Sequence, residues 1–448
     1  MEKRVAMIGA GVSGLLACKY TLKKGFNPII FQAEEAIGGI WNHTIASTNQ
    51  QNTKGTYQFS DFPFPDTVKD SLPSHSDITD YLESCARHKV QLKVVGINYT
   101  GESHEEVESW LLWSLTAKTF RSKGRWHIRV QNVRSCNVQL IQITINIHPA
   151  GLPGLYSSHP NLAEFPPNHC PEVFNGKAIH SMNFSAMDST SAAELIKKKT
   201  IKIIGSQKSA LETPAECATA NEVEYSCTLI QRTAHLFIPS EKTCGVNIGF
   251  LYLNRLLDCW RISKFVEFYL RWKFPLKYAA FLKTSLHKTK TARLCKEGLI
   301  LEGESEPVEL DIVSLASGYR GGQKLRDIFE SQFFQDSIRE KGLSTSTIPL
   351  YRQVIHPRIP QLGIRCQWLA HLLVGNFELP AITEMEKTVS TWENFMRTHT
   401  SGSRRACISN IHVWNNDHLR LGVQTQKKGT LFRPVSYGPR DCAGLNSS

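Results

Sequence analysis

The chain has no Cys-x-x-Cys pair, no Cys/His spacing suited to zinc and no apolar run of about 18 residues or more. The first two absences exclude a vicinal-dithiol motif and a structural zinc site, and the third excludes an evident membrane-crossing helix. Neither a Ser/His/Asp set nor a catalytic pair of carboxylates stands out, so hydrolytic chemistry has no visible nucleophile or acid. Glu2, Lys3 and Arg4 lead directly into a strand, without the apolar stretch of a secretory signal. A cytoplasmic protein with reduced cysteines is therefore expected, and the Asn-x-Ser/Thr triplets at Asn42, Asn98 and Asn183 are expected to carry no sugar.

What is present is ordinary globular composition: 448 residues, 41% apolar and 21% charged, enough for two or three domains. The 52 basic residues against 40 acidic ones give a formal charge of +12. Much of it is local, because Arg255 to Lys296 holds eleven Lys or Arg and only Asp258 and Glu267 as acids. Within it Ile262, Phe265, Val266, Tyr269 and Trp272 recur at helical spacing, which predicts an amphipathic helix with a basic outer face. Three readings stay open for that face: an anionic membrane surface, a phosphorylated cofactor, or water alone. The solvated face is the most common outcome, so membrane contact is not favoured. Nucleic-acid binding has no supporting motif, and nothing in the chain sets its oligomeric state.

Residues 4 to 14 run from an apolar strand, Val5 to Ile8, into Gly9-Ala10-Gly11-Val12-Ser13-Gly14. Gly9 permits a tight turn, Gly11 lets backbone approach a pyrophosphate, and Gly14 lets an amphipathic helix, roughly Ser13 to Lys24, pack on the strand. The N–H groups at that helix start face the phosphates, so these six residues are candidate dinucleotide ligands. A second strand, Asn27 to Phe31, ends at Gln32, where a ribose-binding acid is expected. An amide there weakens the bond to a ribose hydroxyl by about 1 kcal/mol without removing it. Glu34 and Glu35 stand nearby and read as solvated loop acids.

Further on, Gly38-Gly39-Ile40-Trp41 reads as a turn, and Tyr57 to Pro65 as a rigid aromatic loop, packed on the core or covering a flat ring. Ser76 to His88 reads as a helix capped by Ser76 or Asp77, with Ile78, Tyr81, Leu82 and Cys85 on one face. The logic of the N-terminus returns at Thr200 to Ala210. A β-branched strand enters Gly205-Ser206-Gln207-Lys208-Ser209-Ala210 and a helix to about Ala220, with Gln207 in place of the middle glycine. A strand from Tyr225 to Ile230 then leads to Arg232, placed to meet a 2′-phosphate and so to select NADP. Two such units in one chain suggest two cofactors.

These residues resemble the flavin-containing monooxygenase family, most closely its plant members. The likeness rests on Gly9 to Gly14, Gly38 to Trp41, Phe59-Ser60-Asp61-Phe62-Pro63, and Phe174 to Phe184, which matches the identifying pattern FxGxxxHxxx(F/Y). Gly205 to Ala210 is similar to the plant NADP box, Leu315-Ala316-Ser317-Gly318-Tyr319 to the family's ATGY, and Pro349 to Arg352 and Ile355 to Pro357 to its C-terminal part. The resemblance implies an α/β fold of two nested Rossmann-like domains. Residues 1–190 and 300–448 would form the FAD domain, and residues 191–299 an inserted NADP domain. It also implies that NADPH reduces FAD and that a C4a-hydroperoxide passes oxygen from O₂ to a soft nitrogen, sulfur or carbonyl substrate. The activity implied is like that of an N,N-dimethylaniline monooxygenase. Gly39, Trp41 and Gln32 fall on the flavin side. Asn52 is the nearest match to an Asn beside the flavin, one residue out of register, and His180 is given a structural hydrogen bond.

The departures from the family are Gln32 for the ribose acid, Leu236 for the tryptophan of RTxHW, and Ile141 to Pro149 without a TG turn. A shortened stretch before Ser317 and a direct passage from Ile359-Pro360-Gln361-Leu362-Gly363 to Arg365-Cys366-Gln367-Trp368 add to them. Each touches a cofactor wall, so two readings stand: a working monooxygenase, and a nucleotide-binding homologue without turnover. A flavin-dependent disulfide reductase shares the two-box layout but needs a proximal cysteine pair, which the sequence does not show.

Overall fold

A strand with no exposed face starts the fold: Val5, Ala6 and Met7 are each 0% exposed. The computed structural model describes residues 4–32, 34, 36–45, 48–50, 54–70, 72–89, 97–102, 126–132, 136–143, 145–147, 160–161, 165, 171–205, 208–221, 225, 227–231, 242–243, 246–247, 292–301, 305–319 and 359–376. In the first part run β1 (Arg4–Ile8), α1 (Val12–Leu22), β2 (Asn27–Phe31), α2 (His75–Lys89), β3 (Ile97–Glu102), β4 (Trp126–Asn132), β5 (Val138–Ile143) and β6 (Ile145–Ile147). There follow β7 (Lys177–His180), α3 (Ser181–Ser185), α4 (Ser189–Ile196), β8 (Ile201–Gly205), α5 (Lys208–Ala220) and β9 (Cys227–Ile230). Last come β10 (Lys242–Thr243), β11 (Val246–Asn247), β12 (Ala292–Leu294), β13 (Gly298–Leu301), β14 (Val308–Glu309), β15 (Ile312–Ala316) and α6 (Ile359–Leu373).

Two units repeat one plan. In the first, β2, β1 and β6 form a parallel sheet in that order. Val5 and Met7 face a core shared with α1, α2 and α6, while Ala6 and Phe31 face Ile128 and Val130 of the antiparallel β3-β4-β5 sheet. In the second, β7-β15-β8-β9 is parallel throughout. Ile201, Ile203 and Ile312 face the core that holds Phe184, Ile196 and Ala210 of α3, α4 and α5. On the other face Val313, Leu315 and Ile230 meet Leu294 and Leu299 of the antiparallel β12-β13-β14 sheet. Each parallel sheet thus carries helices on one side and a three-stranded sheet on the other, and alternation along the strand divides the two cores.

That sheet cuts across the domain limits expected at residues 190 and 300. β7, before the first limit, and β15, after the second, both pair in the sheet of β8. The reason lies in hydrogen bonding: Lys177 N–H donates to Asp311 O at 2.8 Å, and Asp311 N–H to Thr200 O at 3.0 Å, joining the three strand starts.

The helix expected to be amphipathic is buried all round. Residues Val12 to Thr21 of α1 are all buried, since the helix lies between its own sheet and both α2 and α6. Lys19, 2% exposed, is accommodated by an ion pair with Asp61, which also takes Lys23 at 3.0 Å. The aromatic loop is packed on the core. Tyr81 of α2 accepts from Phe59 N–H at 2.7 Å and donates to Phe62 O at 2.5 Å, and its ring stacks on Phe64 at 4.1 Å. α2 starts one residue earlier than expected and is capped by Ser74. Ser74 Oγ accepts from Asp77 N–H at 3.2 Å while Asp77 Oδ2 accepts from Ser74 N–H at 2.9 Å, a reciprocal capping box. Ile78, Tyr81, Leu82 and Cys85 all face the core as expected. Residues 255–291 of the basic segment lie outside the described residues, and no described helix is long and apolar enough to cross a membrane.

Asp61 makes the first unit acid-sensitive. Partial burial pushes its carboxyl up, but hydrogen bonds from Lys19 and Lys23 outweigh this and bring the pKa from 3.8 down to about 2. A pKa depressed on folding adds stability above the unfolded value, and that stability is lost as pH falls through the folded one. Asp61→Asn is therefore expected to be less stable than the parent near neutral pH, with the gap closing as pH falls from 3.8 to about 2. Urea midpoints at a series of pH values check this, and a gap independent of pH would reject it.

Candidate dinucleotide sites

The first turn is built from glycine conformations. Gly9 has φ +94°, a left-handed value that other residues rarely hold, and its N–H donates to Phe31 O at 2.7 Å. Among the described residues nothing lies within 4 Å of the place a Cβ would occupy. Gly11 then opens α1 in extended backbone, with no side chain capping the helix start. Behind it, Gly38 N–H donates to Ala10 O at 3.3 Å, and a Cβ on Gly39 would stand 3.3 Å from Gly11 Cα. Gly39 also has φ +62°, so space and conformation both call for glycine. Trp41 is buried beside this turn and donates from Nε1 to the Tyr57 hydroxyl at 2.8 Å. Burial pushes the Tyr57 pKa up to about 12 and keeps that phenol protonated.

Ser13, in the first turn of α1, is buried and among the described residues has no hydrogen-bond partner for its hydroxyl. Buried hydroxyls are normally paired. An unpartnered hydroxyl and an uncapped helix start beside an open glycine turn form a donor set that suits the pyrophosphate of FAD.

Gln32 has a task the sequence did not reveal. Its Oε1 accepts from Ala10 N–H at 2.8 Å and its Nε2 donates to Ala36 O at 3.3 Å, so the side chain braces the glycine turn. One amide hydrogen and one lone pair remain for a ribose. Glu34, half-exposed, pairs with His43 at 2.7 Å.

The second turn has a different constraint. A Cβ on Gly205 would come 2.6 Å from Ala316 O and 3.0 Å from Ala210 Cβ, so this glycine lets β8, β15 and α5 pack together. Ala210 is 0% exposed, and the Ser209 side chain is hydrogen-bonded to Tyr319. Ser206, Gln207, Arg232 and Asn52 lie outside the described residues, as does the side chain of Lys208.

The sequence pattern points to Arg232, yet the buried polar side chain just after β9 is its neighbour Gln231. It is 1% exposed, and among the described residues neither amide atom has a partner. Leaving such groups unpaired costs about 1–3 kcal/mol, which a ligand hydroxyl would recover. Gln231 stands one residue past its strand, as Gln32 does, and that repetition was the available signal. The unpaired amide fits NADP(H) in this unit.

The identifying motif proves to be a packing device. Gly176 is required because a Cβ would sit 2.3 Å from Asp311 O and 2.4 Å from the Phe174 ring. His180 accepts the Met182 N–H on Nδ1 at 3.1 Å and so caps α3. Burial lowers its pKa, against a smaller opposing effect of the Gly318 backbone. Its ring packs edge-on against Tyr319 at 5.8 Å. Ser317 and Gly318 are in turn clamped by Asn161, whose N–H donates to Gly318 O at 2.9 Å while its carbonyl accepts from Ser317 Oγ at 2.5 Å.

Residues 2–229 match the family described as FMO-like, flavin-binding monooxygenase-like. The chain is similar to the Arabidopsis thaliana protein "Probable flavin-containing monooxygenase 1", with 29% identity over 98% of this chain and 96% of that protein. An Arabidopsis thaliana protein bearing the name flavin-containing monooxygenase 2 is 30% identical over 93% and 96%. Among solved structures, the S-allyl-L-cysteine S-oxygenase of Allium sativum shares the fold, with a TM-score of 0.59, 16% identity and coverage of 98% and 95%.

Removal of the Gln32 brace tests the geometry of the first turn. In Gln32→Leu the buried Ala10 N–H loses its acceptor, an expected loss of about 1–3 kcal/mol. The melting temperature of the cofactor-free protein is expected to fall by several degrees, and an unchanged value would reject the brace.

Proposed function

Because the chain belongs to the flavin-binding monooxygenase-like family, as a plant-type member, we propose that it transfers one atom of O₂ to a small soft nitrogen or sulfur nucleophile or to a carbonyl compound. It is a flavin-dependent monooxygenase with FAD and NADP(H) as cofactors. The observation that carries the proposal is the repetition of a glycine-turn unit in one chain, each copy with an unpaired buried polar side chain, Ser13 and Gln231. When bound, FAD supplies electron storage and oxygen activation, and the protein's part is to bind, orient and exclude water.

In this reading Gly9, Ala10, Gly11, Val12, Ser13 and Gly14 hold the FAD pyrophosphate from the start of α1. The free amide hydrogen of Gln32 meets a ribose hydroxyl, and Gly39 and Trp41 wall the flavin side. Gly205, Ser206, Gln207, Lys208, Ser209 and Ala210 take the NADP pyrophosphate. Arg232 takes the 2′-phosphate and Gln231 a ribose hydroxyl. Asn52 is the proposed polar contact beside the reacting ring. Tyr57, held protonated, is no base. The second unit takes in β7 and β15, with the FAD unit on either side of it in the chain. Substrates like those of an N,N-dimethylaniline monooxygenase belong to this proposal, and the S-oxygenase title of the Allium protein adds a sulfur nucleophile as a candidate.

A second reading, a nucleotide-binding homologue without turnover, is favoured by one observation: the Gln32 amide already spends two of its bonds within the protein. The purified chain is expected to be yellow with FAD and to consume NADPH with O₂. A protein that stays colourless after FAD is added would sink the enzyme reading. Gln32→Glu is expected to tighten FAD binding, and an unchanged affinity would remove Gln32 from the ribose. Arg232→Ala removes charge-assisted hydrogen bonds of about 1.5–3 kcal/mol each, so its preference for NADPH over NADH should fall roughly 10- to 100-fold. Equal preference in parent and variant would reject that role.

A further inference from the structure

The cysteines are far from any Cys-x-x-Cys pattern in sequence, yet folding brings two of them together. Cys217, near the end of α5, is 1% exposed within the helix-side core of the second unit. Cys227, the first residue of β9, is partly exposed and packs against the same core. The two side chains are hydrogen-bonded to each other. Both belong to one face of the sheet, because Cys227 lies in register with Ile201 of β8, whose side chain is in that core. Thr228, the next residue, turns to the other face and accepts from Lys202 Nζ at 2.8 Å.

The proton is unequally shared within the pair. The hydrogen bond from Cys217 lowers the pKa of Cys227, burial opposes this, and the Lys202 ammonium adds to the lowering. Cys217, as the donor, is raised. One sulfur is therefore the nucleophile and the other the resolving thiol, the division that peroxide-sensitive dithiols need.

We propose that Cys217 and Cys227 form a reversible disulfide, with hydrogen peroxide as the oxidant. The Cys227 thiolate attacks one peroxide oxygen and the O–O bond breaks. The departing hydroxide takes up a proton as water and leaves Cys227 as a sulfenic acid. Cys217 then attacks that sulfur, loses its proton, and displaces the oxygen as a second water. One peroxide and two thiols give one disulfide and two waters, with two electrons passing from sulfur to peroxide. A dithiol reductant reverses the step by thiol–disulfide exchange. The bond closes a short loop and ties α5, which opens at the second glycine turn, to β9, which leads to Gln231 and Arg232.

The experiment uses the full chain treated with hydrogen peroxide, blocked with an alkylating reagent and digested without reduction. The expected product is one pair of peptides joined through Cys217 and Cys227, lighter by two hydrogens, released by dithiothreitol and missing from Cys217→Ser and Cys227→Ser. The map on the parent chain stands without either variant. Sulfinic acid at Cys227 with no joined peptide, joined peptides through other cysteines alone, or no oxidation of either residue would overturn the proposal.

Discussion

The approach of two backbones, Gly11 against Gly39, is the constraint on which the first unit depends. A Cβ on Gly39 would stand 3.3 Å from Gly11 Cα, tighter than ordinary contact, and Gly38 N–H crosses the gap to Ala10 O. The contact holds the Gly38–Gly39 turn against the start of α1, and Trp41 follows it into the core. Because β1 is sealed on both faces, the turn cannot move without disturbing α1 and the β3-β4-β5 sheet together. A site for a large, flat, charged ligand needs backbone that stays in place while it carries few side chains. Glycine supplies the approach, and the surrounding core supplies the rigidity.

The motifs that identify the family divide by the work they do. Phe174, Gly176, His180 and Phe184 join β7, α3 and β15, and none of their described contacts requires a cofactor. Phe59 to Pro63 likewise fastens α1 to α2, through Tyr81 and through the Lys19–Asp61 pair. Among the described residues, Ser13 beside the Gly9 turn and Gln231 after β9 carry unpaired buried polar atoms, and so do His180 Nε2 and Ser181 Oγ at the end of β7. A strongly patterned motif can thus be a joint between elements rather than a ligand site.

Much of this was legible in the sequence. The strands at Val5 and Asn27, the helix face of Ile78 to Cys85 and the second strand–glycine–helix unit all follow from short-range pattern. The misreadings have one physical source. The burial of α1 on every side, the capping of α2 by Ser74, the pairing of β7 and β15 with β8, and the meeting of Cys217 with Cys227 are set by partners distant in the chain or by reciprocal bonds. Hydrophobic period shows which face of an element is apolar, not how many neighbours enclose it.

Gln32 shows why a departure from a family pattern need not be a defect of the fold. A carboxylate accepts hydrogen bonds and donates none, so at this position it could take the Ala10 N–H but would set an oxygen against Ala36 O. The amide satisfies both, with the acceptor toward Ala10 and the donor toward Ala36. The side chain is only 6% exposed, so a charge placed there would also lose solvation. An acid earns its place only when a ribose offers hydroxyl donors to offset that cost. The residue at the end of β2 therefore sits between two demands, a rigid empty turn and a tight ribose contact, and this chain has an amide that serves the first fully and the second in part.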